Sequence, residues 1–185
     1  MVAISIDARQ LKKAQRVLGH IKNGVPKALA PAINRALDKG RTTVRREIRK
    51  VYLIKSKDIP ITVKGANVAR LSGAITLRDG MLPLSKFKVV PNSYRRKMFK
   101  GGIYAQVKKG KGGNIKHGFW IPSGGPFVRR GSARLPIKRL LTISAPIMAS
   151  QPTVGPAVNK AMGETLAKRI DHEVKRVLAS AGGHS

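Results

Sequence analysis

A run of 84 residues without any Asp or Glu, positions 80–163, is the strongest constraint on how this chain can fold. The run holds 16 Lys or Arg residues, and the whole chain carries a formal net charge of +30. Because these cations have no carboxylate partners within the run, they are expected on a folded surface. Their counter-charge must come from outside, from nucleic acid, an acidic protein surface or small anions.

The remaining composition narrows the class of protein. A chain of 185 residues that is 42% hydrophobic fits one domain, or one domain with helical extensions, and can build a core. It has no cysteine, which excludes disulfides and thiolate metal sites. Met1–Ile6 lacks the features of a signal peptide, and the longest apolar-rich stretch, Leu140–Ala149, is about half the length a bilayer needs. The sequence therefore predicts a soluble protein without a membrane segment.

The first third of the chain predicts two helices. Weak alternation over Val2–Ile6 indicates a short strand, and Asp7 is a candidate N-cap for the helix that follows. Asn23-Gly24 ends this helix, and Pro26 suits the first turn of the next. The second helix has an apolar stripe at Leu29, Ile33, Ala36, Gly40, Val44, Ile48 and Val51. Its opposite face is basic, at Arg35, Lys39, Arg41, Arg45, Arg46, Arg49 and Lys50.

The middle of the chain predicts an antiparallel sheet. Six short runs rich in β-branched residues are bounded by Gly, Asn or Pro, and their connections are too short for crossover helices. These runs are 61–64, 69–77, 87–90, 104–108, 115–121 and 127–130. The segment Lys109–Asn114 between two of them is predicted to form a long basic hairpin tip.

The last part of the chain predicts a helix. Pro146, Pro152 and Pro156 are expected to interrupt a loop, and a helical stripe runs from Val158 to a stop at Ala181-Gly182-Gly183. The predicted fold class is α+β, an antiparallel sheet with basic hairpins packed with a long N-terminal and a C-terminal helix. We expect one folded unit, with a helical region at 1–58, the sheet at 59–140, and a proline-rich loop with the last helix at 141–185.

Catalytic motifs are missing from the sequence. The Gly110–Gly113 segment lacks the spacing of a phosphate-binding Walker loop, and His172-Glu173 is followed by Arg176 where a zinc protease needs a second His. A magnesium nuclease needs clustered carboxylates, and the chain has 8 acidic residues with none in 80–163. We therefore expect no enzymatic activity, no metal and no cofactor. A nuclease or another enzyme of mobile elements is the disfavoured alternative.

Motifs that read nucleic-acid sequence are also missing. There is no zinc finger, aromatic RNA-binding strand or heptad zipper. Phe119, Trp120 and Phe127 lie near basic residues and could stack on bases, but filling the core is the preferred interpretation. The charge itself suits contacts to a nucleic-acid backbone or to a protein surface.

Three stretches of the chain follow one another in a recognisable order and spacing. They are Ala32–Ala36 with Arg45–Ile48 and Ile54–Ile59, then Leu82–Phe87, and then Gly118–Ile121 with Phe127–Ile137 and Ala145–Met148. These stretches resemble the phage minor tail protein Z family, the tail completion proteins of long-tailed phages. The match runs over about residues 25–150, and the first 24 residues match weakly. Where the family has a Gly-Ala-Phe-like strand, this chain has Gly118-Phe119-Trp120-Ile121.

The resemblance implies a structural virion protein of the tail or neck, present in the host cytoplasm during assembly. Such a protein completes the tail, takes part in head–tail joining and lies in a homo-oligomeric ring, commonly six-fold. The implied partners are the terminator, tube and tape measure proteins and the end of the packaged DNA. The alternative is a non-enzymatic nucleic-acid-binding protein associated with the ribosome or the nucleoid. In either case the candidate contact residues, on two basic β-loops, are Lys108, Lys109, Lys111, Arg129, Arg130 and Arg134.

Overall fold

The computed structural model describes residues 2–4, 8–94, 102–122 and 124–182 as an α+β protein, as the sequence predicts. Its helices are α1 (Ala8–Leu18), α2 (Gly24–Val51), α3 (Ala145–Ala149) and α4 (Val154–Gly182). Its strands are β1 (Val2–Ile4), β2 (Ile61–Lys64), β3 (Gly73–Leu77), β4 (Met81–Pro83), β5 (Lys88–Val90), β6 (Ile103–Lys108), β7 (Lys111–Ile115), β8 (Gly118–Ile121), β9 (Gly125–Arg129), β10 (Ile137–Arg139) and β11 (Leu141–Ser144). Two 3₁₀ turns lie at Ser56–Asp58 and Leu84–Lys86.

Every pair of strands among the described residues is antiparallel, but the strands form four small sheets rather than one. The strand orders are β1-β3-β2, β5-β6-β7, β10-β9-β8 and β11-β4. Each strand has only three to six residues.

The chain divides into two compact units. Unit 1 comprises residues 1–44, 61–77 and 152–185, and unit 2 comprises residues 45–60 and 78–151. Unit 1 therefore holds α1, most of α2, α4 and the β1-β3-β2 sheet, while unit 2 holds the end of α2 and the other three sheets.

Unit 1 is built on helices with small residues at their contacts. Leu18 of α1, Ala28 of α2 and Val177 of α4 form a buried cluster. Gly40 of α2 is so close to Met162 of α4 and Ile75 of β3 that a Cβ atom at this position would overlap both side chains. The α2 stripe predicted from the sequence is buried from Leu29 to Ile48, so this part of the sequence interpretation is confirmed.

Unit 2 has its own apolar cluster. Leu84, Val89 and Ile103 are buried there, and Trp120 packs against them. The indole Nε1 of Trp120 donates a 2.9 Å hydrogen bond to the carbonyl of Pro91, which satisfies its only polar group. The expectation that Trp120 fills the core is therefore confirmed.

The predicted basic hairpin tip at Lys109–Asn114 is wrong. Lys111–Ile115 forms β7, which pairs with β6, so the tip contains only Lys109 and Gly110. Gly110 has a φ of +73°, a left-handed conformation that Gly adopts without strain. The predicted strand 115–121 also breaks at a turn in which His117 has a φ of 62°.

Two of the three prolines expected in a loop lie in helices instead. Pro146 is the second residue of α3 and Pro156 the third residue of α4, positions where the missing N–H costs no helical hydrogen bond. The last helix therefore begins at Val154 rather than at Val158. The sequence interpretation also missed β4, β10 and β11. The proposed N-cap Asp7 and the stop residue Gly183 lie outside the described residues.

Candidate functional site

The first predicted basic loop is the β6–β7 hairpin. Lys108 and Lys111 are directly opposite each other in the strand register, and Lys109 lies in the turn between them. All three side chains are exposed. Like charges placed across a strand pair repel each other, so a bound anion would relieve a repulsion that is built into this hairpin.

The second predicted basic loop joins β9 to β10. The guanidinium of Arg129 lies 4.9 Å from the ring centroid of Phe119, so this cation contacts an aromatic face. The side chain of Arg129 is half-buried. The backbone N–H of Arg130 donates a 3.1 Å hydrogen bond to the carbonyl of Pro136, which closes the loop. The side chains of Arg130 and Arg134 are exposed. The six predicted residues thus form two groups of three, on two different sheets of unit 2.

The β6–β7 hairpin is fixed to the end of α2 by its backbone. The N–H of Lys109 donates to the carbonyl of Val51, and the N–H of Leu53 donates to the carbonyl of Val107, each at 2.9 Å. The ammonium of Lys108 lies 5.6 Å from the centroid of the Tyr52 ring. The start of the hairpin therefore has a defined position next to the last turn of the helix.

A cleft of about 340 Å³ opens beside this junction, and we call it the basic cleft. It contains the predicted residue Lys109 together with four cations that the sequence did not single out as a site. Its lining residues are Arg49, Tyr52, Leu53, Ile54, Lys55, Lys86, Phe87, Lys88 and Lys109.

The described residues of the basic cleft supply no counter-charge to its cations. Five of these lining residues are Lys or Arg and none of them is acidic. None of the five cations forms an ion pair within the part of the chain that the structure describes. The carboxylate of Glu47, two residues before Arg49 in α2, is occupied by Lys50 at 2.6 Å and Arg46 at 3.2 Å. The hydrogen bond from Lys50 lowers the pKa of Glu47, and the one from Arg46 adds to this effect against the opposing effect of burial.

A weak signal for the basic cleft was present in the sequence. In Lys86-Phe87-Lys88, the two Lys flank an aromatic residue that is buried, while Lys88 is exposed and Lys86 half-buried. Arg49 lies on the basic face of the predicted helix. What the sequence could not supply is the register that brings Lys109 to the same cleft as these residues.

An exposed apolar surface lies elsewhere in unit 2. Met81 of β4 and Ile147 of α3 are 62% and 54% exposed, and Leu141 of β11 is also exposed. Met81 and Ile147 line a depression of about 500 Å³ that also contains Thr142, Ile143 and Asp79. We call Met81, Leu141 and Ile147, with the strands β4 and β11, the apolar sheet surface. Within the described residues, β4 and β11 pair only with each other, so each strand has an unpaired edge.

Metal ligands are not grouped in the described part of the chain. No cluster of three or more His, Asp or Glu side chains is placed there to hold a metal ion. His172 Nδ1 lies 3.6 Å from a carboxylate oxygen of Glu173, whose other oxygen accepts a 2.6 Å hydrogen bond from Arg176. None of the described helices is long and apolar enough to span a bilayer.

No protein-family model, curated protein or solved structure matches this chain, so the resemblance to the minor tail protein Z family stays a prediction from sequence.

Proposed function

We propose that this chain is a structural protein of a phage tail, a tail completion component that acts at the top of the tail in tail assembly and head–tail joining. The three stretches that resemble the minor tail protein Z family support the proposal, and the α+β fold with long first and last helices is compatible with it. The protein would belong to the virion and be present in the host cytoplasm during assembly.

The observation that carries the proposal is the apolar sheet surface of unit 2. Large apolar side chains that are exposed together mark surfaces that contact other proteins. An unpaired strand edge can also accept a strand from another chain. Met81 and Ile147 are exposed beside such edges. A chain with a net charge of +30 would repel its copies unless short-range contacts of this kind hold them together.

A second copy of the chain is the occupant that we assign to the apolar sheet surface. We assign to the other side of this contact a different face of the next copy, so that the contact is head-to-tail. Such a contact generates a closed ring when the rotation between subunits closes. The basic loops would then be repeated around the ring and would face an acidic neighbouring protein or the end of the packaged DNA. The terminator, tube and tape measure proteins are the neighbours that the resemblance implies.

The alternative function is a non-enzymatic nucleic-acid-binding protein of the ribosome or the nucleoid. The basic cleft favours this alternative, because its five cations have no acidic lining residue among them. Such a protein would need neither a ring nor a tail.

Sedimentation of the purified protein tests the ring. We expect one discrete closed oligomer, and we expect a Met81→Ser, Ile147→Ser double variant to sediment as smaller species. Val68→Ser removes a side chain that is 51% exposed in unit 1 and serves as the control, with no change expected. A wild-type protein that stays monomeric at all concentrations would overturn the ring.

Deletion of the gene from its phage tests the biological role. We expect filled heads and separate tails that fail to join, and we expect added purified protein to restore joining. Normal particles from the deleted phage would refute the proposal, and a defect in ribosome or nucleoid function would support the alternative.

A further inference from the structure

We propose that the basic cleft binds the phosphate backbone of a nucleic-acid strand. This inference deepens the proposed function, and it rests on that function only for the assembly in which the strand is met. The inference rests on five cations that line one cleft, where none of the described lining residues is acidic. These cations are Arg49, Lys55, Lys86, Lys88 and Lys109.

The density of cations favours a nucleic acid over an acidic protein segment. Every nucleotide of a strand carries a phosphate charge, whatever its sequence. A peptide carries negative charge only where it has Asp or Glu. Five cations around one cleft of about 340 Å³ therefore match the uniform charge of a nucleic-acid strand better than the scattered charge of a peptide.

The Lys and Arg side chains that line the basic cleft are suited to binding phosphate groups. Four of the five are Lys, whose ammonium is a compact point charge with three donors that phosphate oxygens can approach from several directions. The planar guanidinium of Arg49 can donate two parallel hydrogen bonds to one phosphate group, so both kinds of cation in the cleft fit this ligand.

The aromatic residues that line the basic cleft are not accessible to bases. The two aromatic residues that line it, Tyr52 and Phe87, are only 2% and 7% exposed. Neither ring has a free face on which a base could stack. Contacts would therefore be to phosphate groups, which position a strand but do not read its sequence.

The basic cleft is largely formed before a ligand binds. The hydrogen bonds of Lys109 to Val51 and of Leu53 to Val107 fix the hairpin to the helix end. The N–H of Phe87 donates a 3.0 Å hydrogen bond to Leu84, which fixes the turn between Lys86 and Lys88. Binding would thus order only the Lys and Arg side chains, which keeps its entropic cost low.

Direct titration of labelled single-stranded and duplex DNA of random sequence tests the site. We expect binding without sequence preference, and we expect a Lys86→Gln, Lys88→Gln double variant to bind about tenfold more weakly or worse. Each lost phosphate contact lowers the slope of log affinity against log salt by about one, so the slope should fall by about two.

The matched control removes the same charge from unit 1. Lys160→Gln with Lys168→Gln changes two exposed residues of α4 and should leave the salt slope unchanged. Equal losses in the two double variants would mean general attraction to a basic protein and would overturn the site. Thermal melting of each variant separates a lost contact from lost folding.

Competition with poly-glutamate distinguishes the two kinds of polyanion. We expect DNA to displace poly-glutamate from the wild-type protein at a much lower concentration of charge. Equal competition would overturn the choice of phosphate. Since sedimentation reports the ring independently, a ring that does not bind DNA refutes the cleft ligand alone, and a monomer that binds DNA refutes the ring alone.

Discussion

The ammonium of Lys50 lies 2.6 Å from the carboxylate of Glu47, one turn earlier in α2. Glu47 is only 5% exposed, and Arg46 donates to its other oxygen at 3.2 Å. A buried carboxylate needs such partners, because an unpaired charge is costly to remove from water. One of the 8 acidic residues of the chain is thus used inside unit 2 rather than as a counter-charge for the basic cleft.

The Glu47 carboxylate predicts a loss of stability in acid. Because the hydrogen bond from Lys50 lowers its pKa in the folded state, the stabilisation is fully present above the ordinary pKa of Glu, about 4.3. It is lost as the pH falls through the lower folded-state pKa. Urea unfolding of the wild type from roughly pH 7 to pH 3 should show this loss.

A Glu47→Gln variant isolates this contribution. It should be less stable than the wild type at neutral pH, and the difference should narrow in acid, where Glu47 of the wild type is protonated too. Glu164→Gln changes an exposed residue of α4 and is the control. Parallel pH profiles of the wild type and Glu47→Gln would contradict the role of Glu47.

The packing at Gly40 predicts a large effect of a small substitution. In Gly40→Val, the new side chain overlaps Met162 and Ile75, and overpacking of this kind costs about 1–3 kcal/mol. Gly163→Val in α4 is the matched control, because a Cβ there meets no atom, and a change within about 0.5 kcal/mol is expected. The urea midpoint measures both variants, and equal midpoints would refute the close contact at Gly40.

The fold was predictable from sequence where one pattern decided the structure. The stripe of α2 is long and regular, so its buried face followed from spacing alone. Strand β4 was not predictable, because one of its three residues is Pro83. Strand β11 was missed with it, since among the described residues β4 is its only strand partner. Strand β7 was not predicted either, because Lys111-Gly112-Gly113 has low strand propensity. This segment is a strand because it pairs with β6.

The candidate site was predictable only in part. The basic loops follow from the charge of the sequence, but the basic cleft depends on hydrogen bonds between distant segments, such as Lys109 to Val51. Whether a Lys is solvated or lines a cleft is decided by this tertiary register, and the local sequence carries only the weak signal of Lys86-Phe87-Lys88.

The side chain of Asn34 predicts a second stability effect in unit 1. Its amide donates a 3.0 Å hydrogen bond to the carbonyl of Ala66 and accepts a 2.8 Å bond from the N–H of the same residue. Asn34→Ala leaves both backbone groups of the buried Ala66 without these partners, which should cost about 1–3 kcal/mol.

Two further variants test the Asn34 contact. Asn34→Asp keeps the acceptor and loses the donor, so an intermediate urea midpoint is expected. Asn159→Ala removes an exposed amide of α4 and should change stability by less than about 0.5 kcal/mol. A loss for Asn159→Ala as large as that for Asn34→Ala would rule out a specific role for the Ala66 contact.

The stacking of Arg129 on Phe119 predicts that the cations of the second basic loop have different roles. Arg129→Ala removes a half-buried cation 4.9 Å from the ring centroid and should cost about 0.5–1 kcal/mol of stability. Arg130→Ala removes an exposed side chain from the adjacent position and should leave the urea midpoint within about 0.5 kcal/mol of the wild type. Arg129→Lys keeps the charge but loses the planar guanidinium, so it should recover only part of the loss. If Arg130→Ala is the more destabilising change, Arg129 does not hold the loop, and its charge is available to a partner in the same way as that of Arg130.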